Sequence, residues 1–296
     1  MPGQDFERYH DGRPKILPRP PAELVAEGDR DKLIAWAGEM RAAKKVDLYT
    51  RATTFVGAWE DGYHIEKWKM ALVAEGVAAN EHLMLAIYAV IEDRDPDDPE
   101  SVKAAKKAIG EFADKAFISA GGDESSTKGT AIHLLTEKID RGGKLGQVPS
   151  AYRADLDAYR QCVEDEGLGV VEIEKRVVHD GVRAAGTADR LYLVPSDGRV
   201  VIGDVKTGSR IDFGIAKIAQ QLALYSRSEG YDLKTGERSQ LDVDTSTGVV
   251  IHLPVGTGRA SATWLDLDLG WECVKLSGEV REKRKLKMKD FERKAA

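Results

Sequence analysis

Apolar positions recur with helical spacing through the first half of this chain and with strand-like alternation after residue 170. Helical spacing begins near Pro21 and runs through Leu33, Ile34 and Trp36 to Met40. Residues 46–59 (VDLYTRATTFVGAW) are β-branched and aromatic, and Ile65, Trp68, Leu72 and Val73 then restart the 3.6-residue period. Helices are predicted over about 79–92, 100–118 and 151–166, with DRDPDDPE (93–100) as a loop. In STKGTAIHLLTEKIDR (126–141), Ser126 or Thr127 can cap a helix whose buried stripe is Ile132, Leu135 and Ile139. His133, Glu137 and Asp140 share another face of that helix.

Residues 170–206 read as three strands joined by two turns that each contain Asp-Gly, the favoured pair for a two-residue hairpin loop. With Asp180-Gly181 and Asp197-Gly198 as the loops, Glu172 lies across from Asp189 and Asp189 across from Lys206. Asp204, two positions before Lys206, then shares their face. A loop longer or shorter by one residue would reverse the parity. A helix from about 214 to 227 follows, placing Lys217, Gln221 and Tyr225 on one face and Ile218 and Leu222 on the packed one. Residues 247–254 and 261–268 read as two more strands.

The expected class is therefore α/β, a mixed central sheet flanked by helices with a helical amino-terminal part. Residues 1–21 hold Pro2, Pro14, Pro18, Pro20 and Pro21 with no periodicity and are read as a flexible arm. Residues 22–279 are read as a single domain, helical over 22–168 and built on the sheet over 170–279. The segment 280–296, with eight Lys or Arg against three acidic residues, is read as a basic helical tail.

Composition narrows the picture. The 296 residues are 42% hydrophobic and 32% charged, enough for a substantial core. No apolar run is long enough to span a bilayer and the amino end is too polar for a secretory signal, so the expectation is a cytoplasmic protein without a membrane partner. Cys162 and Cys273 are too few for a four-cysteine zinc or iron–sulfur site. The net charge of −6 argues against a passive nucleic-acid coat but not against an enzyme with a local basic patch. No G-x-x-x-x-G-K-[ST] loop is present, so no nucleotide cofactor is expected.

Asp189, Asp204 and Lys206 carry the candidate chemistry. Carboxylates converging on one point repel each other unless a divalent cation neutralises them. Mg²⁺ suits oxygen ligands, and the Val205 carbonyl supplies another. Lys206 would orient a nucleophile and balance developing charge on a phosphate. Read alone, the same residues are a solvated strand face, and His133 is a satisfied helix histidine. Glu137 is read as solvated or ion-paired. Glu172 and Glu174 stay open between a metal-binding role and strand-surface charge. The aromatic set Trp59, Tyr63 and Trp68 is read as core.

GDVKTG (203–208), preceded by GTADR (186–190), resembles the PD-(D/E)xK nuclease superfamily. GTAIH (129–133) is similar to the histidine motif of its RecB-like branch, and QLALY (221–225) to its Gln-x-x-x-Tyr motif. The upstream TRATTFVGAWEDGYHIEKWK (50–69) looks like the amino-terminal segment of that branch. The resemblance covers roughly residues 46–255 and implies a restriction-endonuclease-like core. It also implies a Mg²⁺- or Mn²⁺-dependent DNA exonuclease of recombination, repair or replication, of the phage or recombination type without an iron–sulfur cluster. Asp189 and Asp204 would hold the metal with His133 and Val205, Lys206 would be the catalytic lysine, and Gln221 and Tyr225 would support the site. Implied partners are DNA and a recombinase, single-strand-binding protein or helicase, in the host cytoplasm if phage-encoded. The alternative is a catalytically silent nuclease fold that binds DNA or protein.

Overall fold

A computed structural model describes residues 5–292. The chain forms two compact units, 60–131 and the remainder, rather than the single one expected over 22–279. The elements run β1 (Lys15–Ile16), α1 (Ala22–Glu27), α2 (Arg30–Ala42), β2 (Asp47–Leu48), β3 (Thr50–Arg51) and α3 (Ala52–Val56). Next come α4 (Tyr63–Ala78), α5 (Glu81–Glu92), α6 (Pro99–Ser119), α7 (Glu124–Asp140) and α8 (Ser150–Asp165). Then follow β4 (Gly169–His179), β5 (Ala184–Val194), β6 (Arg199–Lys206), α9 (Ile215–Ser226), β7 (Glu229–Tyr231) and β8 (Arg238–Gln240). The chain ends with β9 (Asp244–His252), β10 (Ser261–Asp266), α10 (Leu267–Lys283) and α11 (Met288–Phe291).

Side-chain caps set several helix starts. Asp29, Asn80, Asp98 and Asp266 accept backbone N–H groups of α2, α5, α6 and α10, and Pro99 takes the first position of α6, where its missing N–H costs nothing. The expected cap at Ser126 or Thr127 is displaced, because α7 already begins at Glu124. Residues 46–59 form only two short strands before turning into α3 and a 3-10 turn.

Eight strands form one mixed sheet in the order β10-β9-β6-β5-β4-β7-β8, with β3 added to β5. The β6/β9 and β3/β5 pairs are parallel and the rest antiparallel. Helices cover both faces. Phe55 and Val56 of α3, Leu222 of α9 and Val274 of α10 pack on Leu191, Ile202 and Val250. Ile132 of α7 and Leu156 and Tyr159 of α8 pack with Tyr192, Val201, Val205 and Ile251.

The arm expected over 1–21 is corrected for its described part. Phe6 and Ile16 are buried with Tyr49 and Tyr231, and β1 pairs with β2. Apolar residues too few to show a period still find a surface to cover. Residues 1–4 and 293–296 lie outside the described part. The basic tail is helical only to Lys283 and again over the single turn of α11.

In the 60–131 unit, α4 crosses α6 so closely that a Cβ at Gly76 would lie 2.0 Å from the Ala116 carbonyl oxygen, so only glycine fits there. Trp59, Tyr63 and Trp68 are not core, being 41%, 58% and 46% exposed. No single described helix is long and apolar enough to cross a membrane; α4 and α5 pass that test only together, across a 99° bend.

Candidate metal centre and its cleft

β6 sits in the middle of the sheet, and its side chains alternate between the two cores. Val201 and Val205 join one and Ile202 the other. Asp204 and Lys206 therefore fall on the side of Ile202. The position is enclosed enough to leave Asp204 1% exposed.

Both hairpin turns have four residues, 180–183 and 195–198, rather than the two expected. Each register is displaced by two positions. Glu172 faces Leu191, and Asp189 falls opposite Glu174, between the pairs Ile173–Arg190 and Lys175–Ala188. On its other side the ladder ends at Arg190–Gly203, so the next step sets Asp189 against Asp204, not Lys206. A two-residue shift preserves parity, which is why the acidic residues still converge although their expected partners were wrong. Glu172 stays outside the cluster and pairs with Lys175 at 2.9 Å. Glu174 adopts φ 57°, and Ala188 and Leu191, three apart, join the same core. The alternation of both strands slips at this level, beside the site.

His133 is set by its own helix. Ile132 is 2% exposed, and Leu135 and Ile139 pack beside it, so the imidazole turns toward the end of β6. Its Nε2 lies 2.9 Å from the Val205 carbonyl oxygen and 3.1 Å from Asp189 Oδ2. The Val205 N–H donates to the same Asp189 oxygen at 3.2 Å. Lys206 Nζ is 2.6 Å from Asp204 Oδ2, an ion pair without hydrogen-bond alignment. Donor atoms of His133, Glu137 and Glu174 lie within 4.8 Å of one another. Glu137 does form an ion pair, with Arg141 at 2.9 Å, but it is 8% exposed and belongs to the cluster.

A buried network missed in the sequence fixes this geometry. The Arg190 Nε donates to Asp140 Oδ2 at 2.6 Å, Nη2 to Thr136 Oγ1 at 3.3 Å and Nη1 to the Asp189 carbonyl at 2.9 Å. Tyr159 donates to Asp140 at 2.8 Å and meets the Tyr192 hydroxyl at 3.2 Å. The helix that carries His133 is thereby locked to the strand that carries Asp189. The available signals were Asp140 at helical spacing from His133 and an arginine directly after Asp189.

The electrostatics follow from crowding. Burial and the Asp189 charge push the Asp204 carboxyl up to about 7. Burial, with Asp189 and Glu137 nearby, raises Glu174 to about 7. Burial would also raise Asp189, but the His133 hydrogen bond and charge outweigh it and hold the group at about 2. Burial opposes the His133 charge, yet Asp189 lifts it to about 9. Lys206 is likewise held above its ordinary value, the Asp204 and Asp189 charges outweighing burial. Carboxyl groups forced toward neutrality by one another are what a bound cation relieves.

The donor set fits a hard divalent ion. It comprises the His133 imidazole with the Glu137 and Glu174 carboxylates, and beside them the Asp189 and Asp204 carboxylates and the Val205 carbonyl, with no sulfur. His133 Nε2 faces the Val205 and Asp189 oxygens, both acceptors, so the nitrogen placed to donate to them is also the one that would bind a cation.

A cleft of about 310 Å³ opens beside the centre, lined by Glu174, Thr187, Asp189, Gln221, Tyr225 and Arg51 among others. Gln221 Nε2 donates to the Tyr225 hydroxyl at 3.3 Å, and both residues are buried. Tyr225 rests on Gly186, where an added Cβ would be 2.6 Å from its oxygen. Burial and the Asp189 and Asp204 charges raise the phenol well above its ordinary value, so it stays a hydrogen-bond donor. Lys217, one turn earlier on α9, is half-buried and does not line this cleft. No family model matches the chain, and no curated protein matches it.

Proposed function

We propose that this chain is a Mg²⁺- or Mn²⁺-dependent deoxyribonuclease, an exonuclease of the RecB-like PD-(D/E)xK type with a restriction-endonuclease-like core. The carrying observation is the convergence of His133, Asp189, Asp204 and the Val205 carbonyl from three separate elements, with Lys206 paired to Asp204. His133, Asp189, Asp204 and Val205 would hold the ion, with Glu174 at its margin.

A divalent cation at such a site supplies a water acidic near neutral pH and a neutralised phosphoryl oxygen. The chain's own groups account for the rest. The Lys206 ammonium stays charged beside Asp204 and offsets negative charge that builds on a phosphodiester. Tyr225 and Gln221 present neutral donors along the cleft, suited to orienting a sugar–phosphate backbone without competing for the ion. Arg51 adds a cation at the cleft wall. Arg8 and Arg51 line the cleft against Asp5, Glu174 and Asp189, so a polyanionic substrate there depends on a cation that neutralises the carboxylates.

Purified protein incubated with linear and circular DNA in Mg²⁺, Mn²⁺ or EDTA tests the reading. Metal-dependent release of nucleotides from linear DNA, lost in Lys206→Ala, is the expected result. Equal turnover in EDTA, or none above Lys206→Ala, rejects it.

A further inference from the structure

Beyond the cleft, a second concavity of about 420 Å³ gathers Arg13, Arg183, Arg281 and Lys285 against a single carboxylate, Glu282. Like charges collected around one hollow repel one another, and the arrangement is relieved by an anion. Arg281 is the anchor. It is half-buried, donates to the Thr50 hydroxyl at 2.9 Å and lies 5.3 Å from the centre of the Phe55 ring, so both its partners are neutral. The other cations pair with exposed acids: Arg13 with Asp11 at 2.7 Å, Arg183 with Asp47 at 3.0 Å, and Lys285 with Glu282. Such exposed pairs are held weakly in water, so a phosphate can displace them.

The hollow and the cleft are lined from the same two chain segments. Arg13 and Thr50 line it, while their immediate neighbours Pro14 and Arg51 line the cleft that holds Asp189 and Glu174. The Tyr49 N–H donates to the Pro14 carbonyl at 3.0 Å, which ties the two segments side by side. A strand of nucleic acid carries a phosphate about every 3.4 Å of helix rise, so a backbone that follows these two segments out of the cleft presents phosphates to the second hollow.

We propose that the Arg13/Arg183/Arg281/Lys285 hollow is a phosphate subsite that grips the nucleic-acid backbone a few nucleotides from the scissile bond. The proposal rests on the nuclease reading and extends it to residues outside the metal centre.

The test is fluorescence anisotropy of the full chain with a labelled DNA duplex in Ca²⁺, repeated between about 50 and 200 mM salt. Arg13→Glu combined with Lys285→Glu changes two exposed positions, and Arg281→Gln removes charge while keeping a donor for Thr50. Lys106→Glu with Lys107→Glu, both exposed on α6, is the charge-matched control. The double reversal is expected to weaken binding about tenfold or more and to lower the log–log salt slope by about 2, one phosphate contact being worth about 0.9. Arg281→Gln should lower the slope by about 1, with the control within twofold of the parent. Affinity and slope unchanged in both hollow variants, or an equal loss in the control, overturns the subsite. DNA binding with this dependence but no cleavage in Mg²⁺ or Mn²⁺ upholds the subsite and sinks the nuclease reading alone. Cleavage with parental binding in the hollow variants does the reverse.

Discussion

Arg190 and Asp140 form a buried ion pair at 2.6 Å, with the two side chains 0% and 4% exposed, and through it the helix carrying His133 is held to the strand carrying Asp189. Removing one partner strands a buried charge, so Asp140→Ala is expected to cost about 3–5 kcal/mol in urea unfolding. The double change Arg190→Met with Asp140→Leu avoids that penalty and should keep stability within about 2 kcal/mol of the parent. It should still weaken Mn²⁺ binding about 10–100-fold by calorimetry, because the ligands lose their support. Parental Mn²⁺ affinity in a folded double variant would show that the network serves the fold alone.

The raised carboxyls set the pH dependence of stability without metal. Asp204 and Glu174 sit at about 7 in the folded protein, above their ordinary 3.8 and 4.5. A carboxyl raised by folding contributes stability that is whole below its ordinary value and lost as pH climbs through the folded value. Thermal midpoints in EDTA should therefore fall between about pH 4 and pH 7. His133, held near 9, extends the decline upward, since the stability from its bound proton is lost as pH passes that value. Asp204→Asn should flatten the lower part of the curve. A midpoint that climbs across this window contradicts the assignment.

On the proposed reading an ion held by His133 Nε2 competes with a proton, because that nitrogen faces the Val205 and Asp189 oxygens. Mn²⁺ affinity measured by calorimetry should rise with pH, by about tenfold per unit for each proton displaced. His133→Ala should bind more weakly and show a shallower slope. Buffers of different ionisation enthalpy would count the released protons directly, and a count of zero would exclude the competition.

Gly186→Ala tests how closely Tyr225 is held, since the new methyl would lie 2.6 Å from its oxygen. Overpacking of this kind costs about 1–3 kcal/mol, and the phenol must move to relieve it. The variant should unfold at lower urea and lose DNA cleavage more steeply than stability. Unchanged stability would mean that the ring yields freely.

Much of the architecture was legible because it is local. The alternation in 170–206, the Asp-Gly turns and the 3.6 period of Ile132, Leu135 and Ile139 each depend on neighbours a few residues apart. They were enough to put His133, Asp189, Asp204 and Lys206 on the right elements, and the structure brings those four together. Turn length was not legible, since Asp-Gly fits a four-residue turn as well as a two-residue one. Glu172 was therefore set where Glu174 stands.

The sequence by itself determined the long helices and the three strands over 170–206, and which of their faces carry acid, because backbone geometry imposes its period on every segment separately. Only the tertiary structure decided that Glu137 is enclosed with His133 and Glu174, that Arg190 ties α7 to β5, and that Arg281 meets Thr50. Those contacts join residues 37 to 231 positions apart in the chain, in the case of Glu137 with Glu174 and of Arg281 with Thr50. Their distances are set by sheet register and helix packing, which no local pattern encodes.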